Sequence, residues 1–231
     1  ARRAERLERL SAELGGEEAA LPLALDLARP EAAERLAGEL TSRGIAVDLL
    51  VNNAGLGAGG PLIEVPAARL QAVVDLDVRA VVTLTRAFVP AMVERGRGAV
   101  INVVSMSAFQ PVPYLAVYAA SKAFVLSLTE AMATELAGTG VSVQALCPGL
   151  VHTEFQEVAG TAEVPFNRTP PTSPAQVVAA SLAALERGTL IVIPGLKDRI
   201  AVGAQRFVPR SWVRRIAGDL FRPPTRGGPA A

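Results

Sequence analysis

Short apolar runs alternate along this chain with longer segments of helical spacing, and this alternation constrains its fold more than any other feature. The apolar runs occupy residues 21–25, 47–51, 99–104, 141–147 and 190–194. The segments with helical spacing occupy residues 31–43, 67–95, 114–137 and 174–187. Strands that are apolar along their whole length are typical of a parallel sheet covered by helices on both faces. We therefore predict an α/β fold, with a doubly wound parallel sheet of the Rossmann type in a single domain.

The composition agrees with such a domain and argues against several other classes of protein. The chain has 231 residues, half of them hydrophobic, which is enough for a sizeable core. A net charge of +1 gives no general attraction to nucleic acid. Cys147 is the single cysteine, so an internal disulfide is excluded and a reducing, cytoplasmic setting is expected. The sequence contains no run of about 18 apolar residues, so we predict no transmembrane helix. We also predict no metal site.

Three side chains between residues 105 and 122 suggest a chemical role. Tyr118 and Lys122 are four residues apart in a segment of helical spacing, so they project from the same face. An ammonium group beside a phenol stabilises the phenolate and lowers its pKa, which makes Tyr118 a candidate proton donor and acceptor. Ser105 directly follows an apolar strand and could bind a substrate oxygen beside the phenol. A tyrosine and a lysine at this spacing are also common in proteins without any shared role.

Polar and small residues follow the predicted strands, where ligands bind in open α/β sheets. Small residues let a flat ligand approach the backbone, and Asn or Thr side chains can bind an amide or a hydroxyl. Asp and Asn at these positions are equally typical of ordinary turns. The residues concerned are Asp26, Leu27, Asn52, Asn53, Ala54, Gly55, Ser105, Ser107, Pro148, Gly149 and Thr153.

Five short motifs, in this order and spacing, resemble the short-chain dehydrogenase/reductase family. They are DL at 26–27, NNAG at 52–55, Ser105 thirteen residues before Tyr118, YAASK at 118–122 and PGLVHT at 148–153. The resemblance extends from about residue 1 to residue 153, and more loosely to residue 194. Residues 1–195 would then form the dinucleotide-binding and catalytic domain.

The resemblance implies hydride transfer between a nicotinamide cofactor and a carbonyl compound or an alcohol. Tyr118 would be the general acid and base, Lys122 would lower its pKa and bind the nicotinamide ribose, and Ser105 would position the substrate oxygen. The residues implied in cofactor binding, besides Tyr118 and Lys122, are Asp26 and Leu27, Asn53, Ala54 and Gly55, and Pro148, Gly149, Val151 and Thr153.

Two features depart from the pattern of the family. The glycine-rich TGxxxGxG turn that holds the pyrophosphate does not occur in these residues, so we expect an N-terminally truncated chain that begins after the second strand of the family. Asp77 occupies a position in the proton relay where the family usually has Asn. Asp77 could pair with Lys122 and draw it away from Tyr118, or it could be a harmless exchange.

The first residues bear on the choice between NADP and NAD. An acidic residue after the second strand binds the ribose hydroxyl of NAD, whereas an arginine accommodates the 2′-phosphate of NADP. The chain begins Ala1-Arg2-Arg3, which favours NADP over NAD with Arg2 as the phosphate ligand. The same residues are also compatible with the charged face of an amphipathic helix.

The residues around the predicted site favour an apolar substrate. Apolar residues at 109–115 lie between Ser105 and Tyr118 and would form the floor of the site. Residues 154–172 form an irregular stretch, long enough for a lid. The expected apolar underside of this lid consists of Phe155, Val158, Val164 and Phe166. We expect an apolar ketone, aldehyde or secondary alcohol as the substrate.

The C-terminal part differs from the rest in composition. Eight basic residues occur from Lys197 to Arg226, and Trp212, Ile216 and Leu220 recur at helical spacing. A basic amphipathic helix over 196–222 could cover the substrate pocket, or residues 197–222 could contact a membrane surface peripherally. A disordered tail is expected at 223–231.

The resemblance also implies a homodimer or homotetramer, assembled through the long helical segments 67–95 and 114–137. A competing interpretation is a non-catalytic nucleotide-binding or membrane-associated scaffold of the same fold.

Overall fold

A sheet of four parallel strands lies at the centre of the computed structural model, which describes residues 1–224. Its strands, which follow one another in chain order, are β1 (Leu49–Asn52), β2 (Gly98–Val103), β3 (Val141–Leu146) and β4 (Ile191–Val192). Asn52 pairs with Asn102, and Asn102 with Ala145, so the carboxyl ends of β1 to β3 meet at one edge. The predicted α/β fold with a parallel, Rossmann-type sheet is confirmed.

Helices cover both faces of this sheet. The helices are α1 (Ala4–Glu13), α2 (Ala32–Ser42), α3 (Ala67–Val74), α4 (Ala80–Glu94), α5 (Ala116–Glu135), α6 (Phe155–Ala159), α7 (Pro174–Glu186), α8 (Leu196–Ala204) and α9 (Arg210–Phe221). On one face, α2, α4 and α5 pack against Val100 and Val143. On the other face, α7 packs against Ile101 through Val177. The strands can therefore be apolar throughout, as the sequence predicts.

The helix over 67–95 is not a regular α-helix along its whole length. A π-helical segment, Asp75–Arg79, joins α3 to α4. A π-helical turn inserts an extra residue and is frequent at functional sites, and this one contains Asp77. By contrast, α7 begins as its sequence predicts. Ser173 accepts a hydrogen bond from the Gln176 backbone, and the Gln176 side chain accepts one from the Ser173 backbone.

The predicted strand at 21–25 is wrong, because residues 21–26 have no regular secondary structure. Only one backbone hydrogen bond, from Leu25 N to Ala1 O at 2.8 Å, joins this stretch to the start of the chain. A strand needs a neighbouring strand along its length to satisfy its backbone groups. Within residues 1–224, no strand pairs with 21–25 or with the outer edge of β1.

The C-terminal helix α9 packs against residues 154–172 with one of its faces. Ala217, Gly218 and Phe221 of α9 are buried, and the Phe221 ring stacks on Phe166 at 4.8 Å. Trp212 and Ile216, on the face expected to cover the substrate pocket, are exposed, so α9 packs with a different face from the one expected. A disordered tail was expected at 223–231. Residues 225–231 lie outside the residues that the structure describes. Among the helices described, none has the length and apolar character that a membrane crossing requires.

Candidate functional site

The three side chains singled out in the sequence come together at the carboxyl end of β2. Tyr118 and Lys122 project from the first turns of α5, and Ser105 follows β2 by two residues. The Tyr118 side chain is hydrogen bonded to Ser105. The Lys122 Nζ atom donates to the Val103 carbonyl at 3.0 Å and lies 5.5 Å from the centre of the Tyr118 ring. All three side chains are buried, so the structure brings a phenol, a hydroxyl and an ammonium group into one protected site.

Asp77 pairs with Lys122, as one of the two sequence-based alternatives predicted. Its Oδ2 atom lies 3.5 Å from Lys122 Nζ and 3.5 Å from Ser121 Oγ. Its Oδ1 atom accepts a hydrogen bond of 2.8 Å from the Leu56 backbone. Asp77 is fully buried, and burial raises the pKa of its carboxyl, although Lys122 and these hydrogen bonds oppose the shift. The carboxylate thus fixes both the ammonium group and the loop that follows NNAG.

The expectation that the environment lowers the pKa of Tyr118 is wrong in this structure. Burial raises the pKa of this phenol above its ordinary value, and the negative charge of Asp77 raises it further. The hydrogen bond with Ser105 opposes the shift but does not reverse it. Lys122 does not offset the burial, since its ammonium group is shared with Asp77 and Val103. Tyr118 is therefore a neutral phenol at physiological pH.

Ser105 has a well-defined orientation. Its Oγ atom accepts a hydrogen bond from Ser107 N at 3.1 Å and lies 3.1 Å from Ser107 Oγ. This contact caps the short helical turn Met106–Phe109. Nearby, burial raises the pKa of the Cys147 thiol to about 12, so this cysteine is a core residue rather than a nucleophile.

Part of the predicted cofactor set lines one cavity beside β1. Leu27, Asn53 and Ala54 line it together with Asn52 and residues of the π segment and α4. The Asn52 Oδ1 atom is buried without a hydrogen-bond partner within residues 1–224. Gly55 faces Lys122, since a Cβ atom there would lie 3.5 Å from Lys122 Nζ. The cavity and the Ser105, Tyr118 and Lys122 side chains therefore lie along the same edge of the sheet.

The other predicted cofactor residues have local roles in the structure. Asp26 Oδ1 accepts from Ala28 N at 3.1 Å, which is the turn interaction that Asp favours. Thr153 Oγ1 accepts from Phe155 N at 3.2 Å at the start of α6. Pro148, Gly149 and Val151 follow β3 at the same edge of the sheet.

The charged start of the chain contacts the lid region. Arg3 and Arg6 form ion pairs with Glu154 at 2.8 and 2.7 Å. These hydrogen bonds hold the pKa of the Glu154 carboxyl below its ordinary value. Arg2 is exposed. Residues 4–13 form the amphipathic helix that was the alternative interpretation of this segment.

The stretch at 154–172 lies over the tyrosine. The Phe155 ring is 5.1 Å from the Tyr118 ring, and Val164 and Phe166 pack in the same cluster. Val158 was expected on this underside, but its side chain is exposed. Three of the four predicted underside residues therefore face the site.

Sequence reasoning missed the contacts that hold this stretch in place. Gly57 and Gly59 lie against α6 so closely that a Cβ atom at either position would come within 2.6 Å of Ala159 or Thr161. The Arg69 guanidinium donates to the carbonyls of Gly57 and Val158. The repeated glycines after NNAG were the available signal, since glycine permits close backbone approach.

Comparison with known proteins agrees with this geometry. The family model described as short chain dehydrogenase matches residues 1–164. A short chain dehydrogenase of Pseudocercospora fijiensis is 42% identical over 158 residues, which cover 67% of this chain and 51% of that protein. This chain spans between 24% and 51% of the length of the first curated relatives it matches.

Two solved structures illustrate the likeness of the fold. A short-chain dehydrogenase of Sphingobium yanoikuyae in complex with NADPH has a TM-score of 0.76 and 28% identity, covering 99% of this chain and 86% of that one. A bulky-bulky ketone specific alcohol dehydrogenase of Comamonas testosteroni has a TM-score of 0.70 and 25% identity, covering 91% and 84% of the two chains. Together with the match of the family model over more than half of the chain, these likenesses show that the chain belongs to the short chain dehydrogenase family.

Proposed function

We propose that this chain contains the catalytic part of an NADP-dependent oxidoreductase that transfers a hydride between the nicotinamide and an apolar ketone, aldehyde or secondary alcohol. The observation that carries this proposal is the convergence of Ser105, Tyr118 and Lys122 at the carboxyl end of β2. Membership of the short chain dehydrogenase family supports the reaction class.

The three side chains have distinct roles in the proposed reaction. A bound nicotinamide supplies or accepts the hydride, and the protein handles the proton. Tyr118 donates its phenolic proton to the substrate oxygen as negative charge develops there, and Ser105 donates a hydrogen bond to the same oxygen. Lys122 stabilises the phenolate that remains, because its ammonium group lies beside the ring. Asp77 is a positioning residue, since it binds Lys122 rather than the substrate.

The protonated state of the tyrosine suits a general acid. A general acid must begin protonated, whereas a general base must begin as the phenolate. Burial and Asp77 raise the pKa of Tyr118, so both favour the neutral phenol.

The residues at the sheet edge fit the two ends of a dinucleotide. Leu27, Asn53 and Ala54 line the cavity where the adenosine would lie, and the unpartnered Asn52 Oδ1 offers an acceptor there. Gly55 leaves space beside Lys122 for the nicotinamide ribose. Pro148, Gly149, Val151 and Thr153 would bind the nicotinamide end. Asp26 would contact the adenine after the hydrogen bond that it accepts from Ala28 N is broken.

We propose NADP as the cofactor, with NAD the weaker alternative. Arginines at positions 2, 3 and 6 place positive charge at the start of the chain, and Arg2 forms no ion pair among the described residues. Arg3 and Arg6 are held by Glu154, so Arg2 is the better candidate for the 2′-phosphate. The test compares NADPH with NADH for the wild type and Arg2→Ala. A preference for NADH in the wild type would contradict this assignment.

We also propose that a further βαβ unit with the glycine-rich phosphate turn completes the sheet beside β1. The outer edge of β1 pairs with no strand within residues 1–224, and Val51 on its open face is 48% exposed. An unpaired edge with apolar side chains is a place where another strand adds readily. The isolated Asn52 Oδ1 lies at the same edge.

The apolar surroundings of Tyr118 support an apolar substrate. The cluster that contains Tyr118 also includes Val112, Leu115 and Val164, with Phe155 and Phe166 packed against it. We propose that the stretch at 154–172 acts as a lid that opens to admit the substrate.

Assembly into a homodimer or homotetramer is proposed through α4 and α5. Val82 of α4 and Phe124 of α5 are exposed apolar side chains on these long helices. We place the protein in the cytoplasm on the basis of its single buried cysteine.

The proposed reaction is tested by NADPH oxidation in the full-length protein with a panel of ketones and aldehydes of increasing apolar size. We expect turnover of the apolar members and little turnover of hydroxy acids of similar length. Absence of turnover across the panel, with NADPH bound, would support the non-catalytic scaffold, in which Asp77 keeps Lys122 from Tyr118.

A further inference from the structure

The two C-terminal helices expose large apolar side chains in pairs. On α8, Leu196 and Ile200 are four residues apart and exposed, and on α9 the same holds for Trp212 and Ile216. Phe207, in the turn between the helices, is 89% exposed. Side chains four residues apart lie on the same face of a helix. Each helix therefore presents an apolar strip outward, and within residues 1–224 nothing covers either strip.

Positive charge is concentrated around these strips. Residues 196–222 contain seven basic and two acidic side chains, a net charge of +5, whereas the whole chain has a net charge of +1. All seven basic residues are exposed, while Asp198 is buried. The remaining 204 residues consequently carry a net charge of −4. The chain is thus strongly polarised, with its excess positive charge beside its exposed aromatic residues.

The opposite face of α9 is anchored to the catalytic side of the domain. Phe221 stacks on Phe166 of the lid region, and Gly218 lies against Pro113, with a Cβ atom there 3.5 Å from the proline ring. Pro113 precedes the helix that carries Tyr118. The exposed strip is therefore not a mispacked core face, because α9 already uses its other face for packing.

We propose that the outer face of α8 and α9, with Phe207, Trp212 and Ile216 at its centre, docks on an anionic phospholipid surface. Exposed aromatic side chains flanked by arginines match such an interface, where the rings enter the headgroup region and the guanidinium groups meet lipid phosphates. The contact is peripheral, with the strips lying in the plane of the interface.

A second copy of this chain fits the surface less well. In a twofold dimer the same patch meets itself, so a face of charge +5 would contact another face of charge +5. An anionic membrane instead provides charge of the opposite sign. Added salt should weaken docking on the membrane, because salt screens exposed charges.

The experiment measures binding of the full-length protein to vesicles of phosphatidylglycerol mixed with phosphatidylcholine, and to vesicles of phosphatidylcholine alone. Trp212 is the only tryptophan in the chain, so its fluorescence reports on the proposed contact itself. We expect binding to the anionic vesicles alone, with a blue shift of the emission and quenching by brominated lipid. High salt should reverse the binding.

Variants distinguish binding through this surface from nonspecific binding to vesicles. Trp212→Ser with Ile216→Ser, or Arg214→Gln with Arg215→Gln, should each weaken binding by about tenfold or more. The matched control is Val178→Ser with Leu182→Ser, an exposed apolar pair at the same spacing on α7, which should leave binding unchanged.

Three outcomes would overturn the proposal. These are equal binding to neutral vesicles, binding without any change in Trp212 emission, and a dimer in sedimentation experiments that the Trp212 and Ile216 substitutions dissociate. The last outcome would assign the surface to a second copy of the chain instead.

Discussion

The two halves of the sheet edge differ in how completely they are built. On the catalytic half, Ser105, Tyr118 and Lys122 are buried and are held by contacts with β2, α5 and the π segment. On the cofactor half, Asn53 and Gly55 are exposed, residues 21–26 are irregular, and the outer edge of β1 has no pairing strand within residues 1–224. Local contacts thus hold the side chains proposed for proton transfer, whereas the residues proposed for cofactor binding are less enclosed within residues 1–224.

Replacing Lys122 tests the catalytic half most severely. Lys122→Met removes the ammonium group that stabilises the phenolate and leaves Asp77 buried without its partner. We expect kcat to fall by about 10²-fold, measured as NADPH oxidation by the full-length protein with a saturating ketone. Lys122→Arg, which keeps the charge, should retain more activity. Equal losses in the two variants would indicate a packing defect rather than a lost charge.

Two valines on neighbouring strands compare the halves directly. Val100 on β2 is fully buried and Val51 on β1 is 48% exposed. In the 231-residue chain, Val100→Ala should lower the free energy of unfolding by about 2 kcal/mol, and Val51→Ala by less than about 0.5 kcal/mol. Denaturant titration measures both.

The same pair should behave differently in the full-length protein if a further unit covers β1. There, Val51→Ala should cost nearly as much as Val100→Ala, because both side chains would then be buried. A cost that stays small for Val51→Ala would contradict the proposed cover.

The pH dependence of alcohol oxidation tests the role of Asp77. The negative charge of Asp77 raises the pKa of Tyr118, and its ion pair with Lys122 partly neutralises the ammonium group beside the phenol. Asp77→Asn removes both effects, so the pKa of Tyr118 falls and the phenolate forms at lower pH. We expect the rise of the oxidation rate with pH to move to lower pH, as measured by initial rates across the alkaline range. A shift to higher pH would rule out this account of Asp77.

The smallest expected effect concerns the start of the chain. The ion pairs of Arg3 and Arg6 with Glu154 lie on the surface, where water and salt screen such pairs and they contribute little to stability. Glu154→Gln should therefore change stability only slightly, and the change should vanish in high salt. A loss that persists in high salt would show that this contact is structural.

The convergence of Ser105, Tyr118 and Lys122 was predictable from sequence because it depends on short-range spacing. The four-residue separation of Tyr118 and Lys122 fixes their common helix face, and Ser105 follows an apolar strand that forms as predicted. The capping box at Ser173 is equally local, and it too forms as predicted.

Other features depend on contacts between distant residues, and they escaped prediction. The raised pKa of Tyr118 results mainly from burial, which depends on contacts that the sequence pattern does not show, and the charge of Asp77 adds to it. The π-helical turn that aims Asp77 inward leaves no simple mark in the sequence. The apolar composition of residues 21–25 predicts a strand, but these residues form none. A strand requires a neighbouring strand for its backbone hydrogen bonds, and composition does not show whether one is present.

The central claim is that Tyr118 transfers the proton, and the most direct test uses the two tyrosines of the chain. Single-turnover reduction of an apolar ketone by NADPH is measured in the full-length protein for Tyr118→Phe and for Tyr114→Phe. Tyr114 lies four residues earlier, before α5, with its backbone at φ +65°. We predict a rate about 10²- to 10⁴-fold lower for Tyr118→Phe, with NADPH still bound, and a nearly unchanged rate for Tyr114→Phe. An unchanged rate for Tyr118→Phe would contradict the account.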